Sequence, residues 1–407
     1  MSKEDATAWL GGWEGYRVAK VERVSGHKPA IWITLAGQPG RAMICEGCGQ
    51  TVEGVHESTV RAVRDLPILD AETWLLVPRC RLACPRCGPR LERLAWLGRY
   101  ARVTARLAES VAKLCHVLPV KQVAGFFGLA WSTVKAIDKK YLAQTLGPVD
   151  LAGIREIAMD EFAIQKGHRY ATVVVEPHTK RVLWVGRGRS RDSVRPFFEL
   201  LGKEGCAALT AVAMDMHAAF EQEVRHHCPQ AAIVYDLFHV VAKYGREVID
   251  RVRVDEANRL HHDKKARKVV KTARWLLLRN RDNIPRDEDK VRLDELLAAN
   301  AALMTTYVLK DDLKELWRFT DPKAAMEAWQ AWKERALASA VKPLILFAKR
   351  LEPYLEGILA HCQWPLHTSL LEGINNKIKV IKRMAYGFRD DDYFFLKVRA
   401  AFPGIRR

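Results

Sequence analysis

The chain has 407 residues, of which 49% are hydrophobic and 28% are charged. This composition excludes a largely disordered chain, and no apolar run reaches the ~18 residues that a membrane-spanning helix needs. The 66 Lys and Arg residues exceed the 48 Asp and Glu residues, and the net charge of +18 points to a polyanionic partner such as nucleic acid.

The first part of the chain, residues 1–40, is predicted to be an irregular or short-stranded lead-in. Its first twelve residues contain no basic segment followed by an apolar stretch, so we predict no signal peptide. A cytoplasmic location without a membrane partner is therefore expected.

Two short cysteine motifs predict a metal site within residues 41–95. Cys45-Glu-Gly-Cys48-Gly and Cys84-Pro-Arg-Cys87-Gly each place two thiols three positions apart and follow them with a glycine. In such a turn both thiolates can reach one tetrahedral Zn²⁺, and the glycine permits the tight backbone path. We predict a zinc ribbon with one structural Zn²⁺, bound by Cys45, Cys48, Cys84 and Cys87. A redox-active dithiol is the alternative, and Cys80 competes with Cys84 as a ligand.

Residues 96–147 are predicted to be helical, with a helix-turn-helix motif centred on Gly128 and a closing turn at Gly147-Pro148. Ser132 or Thr133 is expected to cap the second helix of the motif. The stretch 99–141 holds eight Lys and Arg against two acidic residues, which favours DNA over an ordinary helical hairpin. The predicted DNA contacts are Ser132, Thr133, Lys135 and Lys139.

The region 150–244 alternates β-rich runs with helical runs. Strands are predicted at 154–159, 169–175, 181–185, 209–214 and 231–235, and helices at 193–201 and 219–227. The first three strands are close in sequence and should pair antiparallel, whereas the last two require helical crossovers. The order β-β-β-α-β-α-β is the ribonuclease H plan, in which helices cover both faces of a mixed sheet.

Aspartates follow three of these predicted strands. Asp160 and Asp215 each end an apolar run, and on the ribonuclease H plan those two strand ends lie side by side. Carboxylates in that position can share divalent metals about 3.5–4 Å apart and support an in-line phosphoryl displacement. Asp236 also ends a strand and, with His239, is a candidate third ligand or a group that orients the ligands. Glu161 should point to the other side of its strand.

A third carboxylate is expected from the helical remainder of the chain, and Glu372 is the best candidate. It begins a predicted amphipathic helix whose apolar stripe is Leu371, Ile374, Ile378 and Ile381. The other side of this helix carries residues that we predict to contact DNA, namely Asn375, Asn376, Lys379, Lys382 and Arg383. A solvated amphipathic helix is the alternative.

Four blocks of sequence resemble bacterial insertion-sequence transposases of the ISL-three family. They are Asp160-Glu-Phe-Ala-Ile-Gln-Lys-Gly-His-Arg-Tyr, Ala213-Met-Asp-Met-His, Tyr235-Asp-Leu-Phe-His, and Glu372-Gly-Ile-Asn-Asn-Lys-Ile-Lys with Ala385-Tyr-Gly-Phe-Arg. The resemblance runs from about Cys45 to Val398 and includes the cysteine motifs and the helix-turn-helix in the same order. It implies an acidic triad at Asp160, Asp215 and Glu372, and an active enzyme because no triad block is missing. Cys80 is a departure from the pattern.

The resemblance implies a DDE transposase with a multidomain α+β fold. The zinc ribbon and helix-turn-helix would bind the terminal inverted repeats of double-stranded DNA. A ribonuclease H-like α/β core (β-β-β-α-β-α-β-α) would use two Mg²⁺ or Mn²⁺ ions per active site. Water would attack the phosphodiester at the element end, and the freed 3′-hydroxyl would attack target DNA. Because two ends must be paired, a homodimer or higher assembly on DNA is expected.

The 156 residues between Asp215 and Glu372 exceed what one helix and one strand need. We therefore predict an all-helical insertion at 245–345, with the last part of the core at 346–407. Within the insertion, residues 251–281 contain eleven Lys and Arg against three acidic residues, and we expect them to bind DNA.

Two other functions stay open. One is a non-catalytic DNA-binding regulator, which leaves the carboxylates unexplained. The other is a ribonuclease H-like nuclease without strand transfer, which a strand-transfer assay distinguishes from a transposase.

Overall fold

A computed structural model describes residues 11–405 of the chain except 27, 166, 168, 367 and 368. The described residues form two compact units, residues 11–147 with 384–386 and residues 148–383 with 387–405. The division falls at the predicted turn, where Gly147 has a φ of 56°, a left-handed conformation that glycine adopts readily. No helix in this described part is long and apolar enough to cross a membrane.

The first unit is built on a five-stranded sheet. Its strands are β1 (Tyr16–Val24), β2 (Ala30–Gly37), β3 (Val55–Ile68), β4 (Ala71–Cys84) and β5 (Gly88–Leu91). They are ordered β1-β2-β4-β3 with β5 also on β4, and only the β2–β4 pair is parallel among the described strands of this sheet. Along β4 the buried residues alternate with half-buried ones, as expected of a strand with one face on a core, and they include Ala71, Thr73, Leu75 and Val77.

The lead-in predicted at 1–40 contains two strands of this sheet, β1 with nine residues and β2 with eight, and its first ten residues lie outside the described ones. β2 runs beside β4 with Trp32 opposite Trp74, and Ile33 and Leu35 are buried in the same core as Leu75. β1 is an edge strand that is exposed along most of its length. An edge strand solvated on both faces lacks strong hydrophobic alternation, which is why the sequence indicated only short strands there.

Three helices follow the sheet, namely α1 (Ala105–Val117), α2 (Val120–Phe127) and α3 (Trp131–Leu146). They share a small core in which Leu107, Phe127 and Val134 are buried. Gly128 ends α2 with a φ of 62°, a left-handed conformation that glycine permits without strain.

The predicted cap of α3 is wrong. The residue before the helix is Ala130, which makes no side-chain capping hydrogen bond. Its carbonyl oxygen instead accepts the backbone N–H groups of Thr133 and Val134, at 3.0 and 3.1 Å. The helix therefore begins at Trp131, and Ser132 and Thr133 lie inside its first turn.

The second unit has its own five-stranded sheet. Its strands are β6 (Glu156–Gln165), β7 (Arg169–Glu176), β8 (Arg181–Arg187), β9 (Ala211–Met214) and β10 (Ala232–Tyr235). They are ordered β10-β9-β6-β7-β8, with β6, β7 and β8 antiparallel and β6, β9 and β10 parallel. Helix α4 (Arg191–Ala208) joins β8 to β9, and α5 (Ala218–His227) joins β9 to β10. The element order is β-β-β-α-β-α-β.

Every element described after β10 is helical. The α-helices are α6 (Leu237–Tyr244), α7 (Asp250–Arg259), α8 (Lys264–Thr272), α9 (Arg274–Leu278), α10 (Asp287–Ala299), α11 (Ala301–Glu315), α12 (Pro322–Ala338), α13 (Lys342–Leu351), α14 (Leu355–Leu359), α15 (Ser369–Met384) and α16 (Asp391–Ala401). A π-helical turn at Gly245–Ile249 links α6 to α7. Short 3₁₀ turns lie at Arg281–Asn283, Leu316–Arg318, Glu352–Tyr354 and Ala360–Cys362.

Helices cover both faces of the second sheet. Met159 and Met214 lie on one face, in a core that extends to Trp329 and Phe347 in the helical region. Ala158 and Ala213 lie on the other face, in a core with residues of α15 and α16, among them Leu371, Ile374, Ile378, Phe394 and Val398. This second face carries the carboxylates described below.

Candidate functional site

Four cysteine side chains of the first unit lie together. The Sγ atoms of Cys45, Cys48, Cys84 and Cys87 are all within 4.8 Å of one another, and those of Cys48 and Cys84 are 3.6 Å apart. Gly49 and Gly88, which follow the two motifs, have φ values of 74° and 66°. Both turns therefore use the left-handed conformation for which the sequence supplies glycine.

The chemistry of this cluster fits a metal with four sulfur ligands. The backbone N–H of Cys48 lowers the pKa of the Cys45 thiol to about 7. A hydrogen bond with the Cys48 thiol raises the pKa of Cys87 to about 12, because neighbouring thiols cannot all ionise unless a cation lies between them. Cys80 is outside the cluster, with its Sγ 3.9 Å from both Arg41 Nη2 and Ser58 Oγ. Cys84 is thus the fourth member of the group.

The residues predicted to contact DNA in the helix-turn-helix lie on the first three turns of α3. Ser132 is exposed, whereas Thr133, Lys135 and Lys139 are half-buried. The Lys135 ammonium lies 5.8 Å from the ring centre of Trp131, a side chain that is 53% exposed at the start of the helix. Trp131 was not among the predicted DNA contacts. The feature that could have added it to them is its position as the first residue of the helix.

Three aspartates form a row across the second sheet. Ala158 on β6 pairs with Ala213 on β9, so Asp160 and Asp215, each two residues later, stand at corresponding positions. Met214 pairs with Tyr235 on β10, which places Asp236 beside Asp215 in the same way. Since residues two apart on a strand share a face, Asp160 shares the face of Ala158 that α15 covers.

Asp160 does not end its strand, contrary to the prediction. β6 continues for five residues to Gln165, and Phe162 and Ala163 pair with Ala171 and Tyr170 of β7. The strand continues because it is antiparallel to β7 beyond the point where its pairing with β9 ends. Asp215 and Asp236 directly follow β9 and β10, as predicted.

Burial dominates the electrostatics of the aspartates. Asp160 is 8% exposed, and burial raises its pKa to about 6, opposed by a backbone hydrogen bond from Glu161 N to Oδ1 at 2.7 Å. Burial also raises the pKa of Asp215, while the imidazole of His239 acts in the opposite direction. Charged carboxylates that are desolvated and close to each other favour a cation between them.

His239 lies between two of the aspartates. Its Nδ1 is 3.7 Å from Asp215 Oδ2, and its Nε2 is 3.8 Å from Asp236 Oδ2. Asp236 also caps α6, because its Oδ1 accepts the backbone N–H of Phe238 at 2.9 Å. These contacts place Asp236 and His239 beside the Asp160–Asp215 pair.

The third predicted carboxylate, Glu372, lies on the first turn of α15 and is exposed. Within the described part of the chain it makes no hydrogen bond or ion pair, and the cysteine cluster is the only group of three or more potential metal ligands found close together. The residue of α15 that contacts an aspartate is Asn375, one turn later, whose Nδ2 donates to Asp160 Oδ2 at 2.7 Å. The contacts of the structure thus join Asp215 and Asp236 to His239 and Asp160 to Asn375, and none of them involves Glu372 within the described residues.

The other predicted DNA contacts on α15 differ in their exposure. Asn376, Lys379 and Arg383 are exposed, and Lys379 Nζ lies 3.3 Å from Asn376 Oδ1. Lys382 is half-buried, and its Nζ donates to the carbonyl oxygen of Ala163 at 2.7 Å. The exposed members are therefore the more accessible to a phosphate backbone.

A second polar group, which the sequence did not indicate, lies behind the aspartates. Glu161 Oε1 is 2.5 Å from Arg189 Nη1, and its Oε2 is 3.8 Å from His217 Nε2. Glu161 was expected only to point away from Asp160. No local spacing links it to Arg189, which follows it by 28 residues.

Comparison with known proteins identifies the chain's relatives. A family model described as "Transposase", for the DDE type of the ISL3 family, matches residues 157–398. Two more match residues 92–142, as "Helix-turn-helix domain of transposase family ISL3", and 41–87, as "zinc-finger of transposase IS204/IS1001/IS1096/IS1165". The chain belongs to the ISL-three family of transposases.

Individual relatives agree with this assignment. The transposase is 56% identical to "Transposase for insertion sequence element IS1001" of Bordetella parapertussis, over 98% of each chain. It is 27% identical to "Transposase for insertion sequence element IS1557" of Mycobacterium tuberculosis, over 89% of this chain and 86% of the relative. The expected DDE enzyme with zinc-finger and helix-turn-helix domains is confirmed at the level of the family, whereas the roles of single residues stay predictions.

Proposed function

We propose that this transposase binds the terminal inverted repeats of its insertion sequence and catalyses metal-dependent DNA cleavage and strand transfer. The observation that carries the proposal is the row of one buried aspartate, Asp160, and two half-buried ones, Asp215 and Asp236, within the region matched to the DDE family. We assign the catalytic unit to the ribonuclease H-like class because of its strand order, with the helical region 245–345 as an insertion.

The aspartate row fits divalent metal ions of the Mg²⁺ or Mn²⁺ type. Carboxylate oxygens are the ligands that these ions prefer. Asp215 Oδ1 is buried and has no hydrogen-bond partner, so the site has an acceptor to offer a cation. Asp160, Asp215 and Glu372 would hold two such ions, with Asp236 and His239 orienting Asp215. When bound, the ions activate the attacking oxygen and neutralise the charge on the leaving oxygen.

The residues of the chain prepare two successive displacements at one site. Asp160 and Asp215 act as carboxylates, and Asn375 and His239 hold them in place. Water attacks the phosphodiester at the element end and releases a 3′-hydroxyl, which then attacks a phosphodiester of target DNA. Neither step requires a serine or tyrosine nucleophile, because no covalent link between enzyme and DNA is formed.

Recognition of the element end is proposed to lie in the first unit. Cys45, Cys48, Cys84 and Cys87 would hold one structural Zn²⁺, and α3 would enter the major groove with Ser132, Thr133, Lys135 and Lys139 toward DNA. Exposed Asn376, Lys379 and Arg383 would contact the phosphate backbone nearer the cleavage site. Because two ends must be paired, we propose a homodimer or larger assembly on DNA, acting in the cytoplasm where the element's DNA lies.

A strand-transfer assay tests the proposal. The full chain is incubated with Mg²⁺, a target plasmid and a pre-cleaved duplex that ends in the inverted repeat with a free 3′-hydroxyl. Covalent joining of the duplex to the plasmid is the expected result. Cleavage of uncut ends without any joining would identify a nuclease, and binding without either reaction would identify a regulator.

A further inference from the structure

Asn375 occupies a position on α15 where an apolar residue is expected. The helix buries Leu371 and Ile378 against the sheet, and Asn375 stands four residues after the first and three before the second. Residues with this spacing lie on one face of a helix, so Asn375 is in the seam that packs on β6. A polar amide there is costly unless its donors and acceptors are satisfied.

The amide nitrogen of Asn375 has a hydrogen-bond partner in Asp160, whereas the amide oxygen has none. The Nδ2 group donates to Asp160 Oδ2 at 2.7 Å. Asn375 Oδ1 is buried and has no hydrogen-bond partner, and the same is true of Asp215 Oδ1. Buried acceptor oxygens are normally paired, so two unpaired ones beside one carboxylate row indicate a missing donor or cation.

A second contact fixes the register of α15 on β6. Lys382 Nζ donates to the carbonyl oxygen of Ala163 at 2.7 Å. Seven residues of helix from Asn375 to Lys382 rise ~10.5 Å, and three residues of strand from Asp160 to Ala163 span ~10 Å. The spacing of the two contacts along the helix therefore matches their spacing along the strand, and both spacings run in the same direction. A slip of one helical turn would break both of them.

We propose that Asn375 is a positioning residue of the divalent-metal site, and that it is not a DNA contact. Its Nδ2 fixes the carboxylate of Asp160, and its Oδ1 accepts from the water molecules that accompany the ions. Lys382 holds the helix in the register that this requires, and the same register sets the position of Glu372. The inference rests on the proposed function of the aspartate row.

Calorimetric titration of the full chain with Mn²⁺ alone tests the proposal without relying on activity. Asn375→Ala is expected to weaken Mn²⁺ binding by about 10- to 100-fold, the usual effect of removing a group that orients a metal ligand. Asn376→Ala, on the adjacent exposed residue, is the matched control. It should weaken binding of end DNA and leave the Mn²⁺ dissociation constant unchanged. In an Asp160→Ala background, Asn375→Ala should add no further loss, because both changes act on one unit.

The outcomes separate this inference from the proposed function. If Asp160→Ala still binds Mn²⁺ and cuts DNA, the site itself is wrongly assigned. If Asp160→Ala is inactive while Asn375→Ala binds Mn²⁺ normally, only the role of Asn375 is overturned. If the alanine variant shows no cooperative unfolding transition, Asn375→Leu replaces it, because leucine fills the apolar seam. The same Mn²⁺ titration is then made with the leucine variant, and normal Mn²⁺ binding would contradict the proposal.

Discussion

Arg189 Nη1 lies 2.5 Å from Glu161 Oε1, directly behind the aspartate row. The Arg189 guanidinium also stacks on the Tyr170 ring at 4.0 Å. Its loop is held at Gly188, whose N–H donates to Tyr170 O and whose carbonyl accepts from Thr172 Oγ1, both at 2.8 Å. Thr172 is the strand partner of Glu161, so this ion pair is anchored to β7 and ties the β8–α4 loop to the strand that carries Asp160.

Breaking this ion pair is expected to destabilise the second unit. Arg189→Gln should lower the free energy of unfolding by about 1–2 kcal/mol, between the values for exposed and buried pairs, because a largely buried Glu161 loses its partner. Glu161→Gln in the same chain should recover part of the loss. Chemical denaturation of the two single variants and the double variant measures this coupling. Fully additive losses would show that the contact contributes nothing.

Zinc is expected at one tightly held ion per chain, bound by the four clustered thiols. Cys45→Ser or Cys87→Ser should remove it, lower the melting temperature of the first unit and weaken binding of end DNA, because the metal supplies much of the folding energy of a small module. Elemental analysis of purified protein gives the zinc content. Cys80→Ser, at a cysteine outside the cluster, is the control and should keep the zinc. Active protein without zinc would contradict the assignment.

DNA affinity is expected to fall steeply with salt, because phosphate contacts release counterions. Lys135→Ala and Lys139→Ala should each weaken binding of inverted-repeat duplex and reduce the slope of log K against log salt by about 1. Their Mn²⁺ binding should match that of the unmodified chain. Fluorescence anisotropy across a salt series measures the slope. Unchanged slopes in both variants would move end recognition away from α3.

The raised pKa of Asp160 makes a prediction about stability. Because folding raises this pKa from 3.8 to about 6, the carboxyl favours the folded state fully below about pH 4 and loses that effect as the pH rises through 6. Asp160→Asn is neutral at every pH, so it should stabilise the second unit by about 2–3 kcal/mol at pH 8 and hardly at all at pH 4. Thermal melts without added Mg²⁺ measure the difference. A variant less stable than the unmodified chain at pH 8 would contradict the buried charge.

Local sequence patterns predicted the second sheet well. The β-branched runs near Val173 and Val185 form β7 and β8, and Asp215 and Asp236 follow short apolar strands, as expected. The sequence after Asp160 also contains the pattern that indicates a longer strand. Phe162 and Ile164, which are buried, alternate with more exposed neighbours and continue the strand beyond it. The predicted strand stops where the continuous apolar run stops, whereas β6 continues as an alternating strand because it still pairs with β7.

The contacts that complete the site could not be predicted from local patterns. Asn375 reaches Asp160 across 215 residues of sequence, and Lys382 reaches Ala163 across 219. Only the packing of α15 on the sheet creates these pairs. The sequence analysis assigned both residues to the polar side because of their residue type, although Asn375 stands four residues after Leu371 and three before Ile378, in the apolar stripe. The cysteine cluster needed less information, because each motif supplies two ligands and the turn between them.

Cleavage of a labelled inverted-repeat duplex by the full chain tests the acidic triad most directly. Asp160→Ala, Asp215→Ala and Glu372→Ala are each expected to abolish cleavage and strand transfer in Mg²⁺ or Mn²⁺ while keeping end binding, and their losses should not add. Asp236→Ala should retain measurable cleavage, because its carboxylate only orients Asp215. Cleavage by Asp215→Ala together with an inactive Asp236→Ala would show that Asp236, and not Asp215, is the metal-binding carboxylate. Cleavage by Glu372→Ala would show that the third carboxylate lies elsewhere in the helical region.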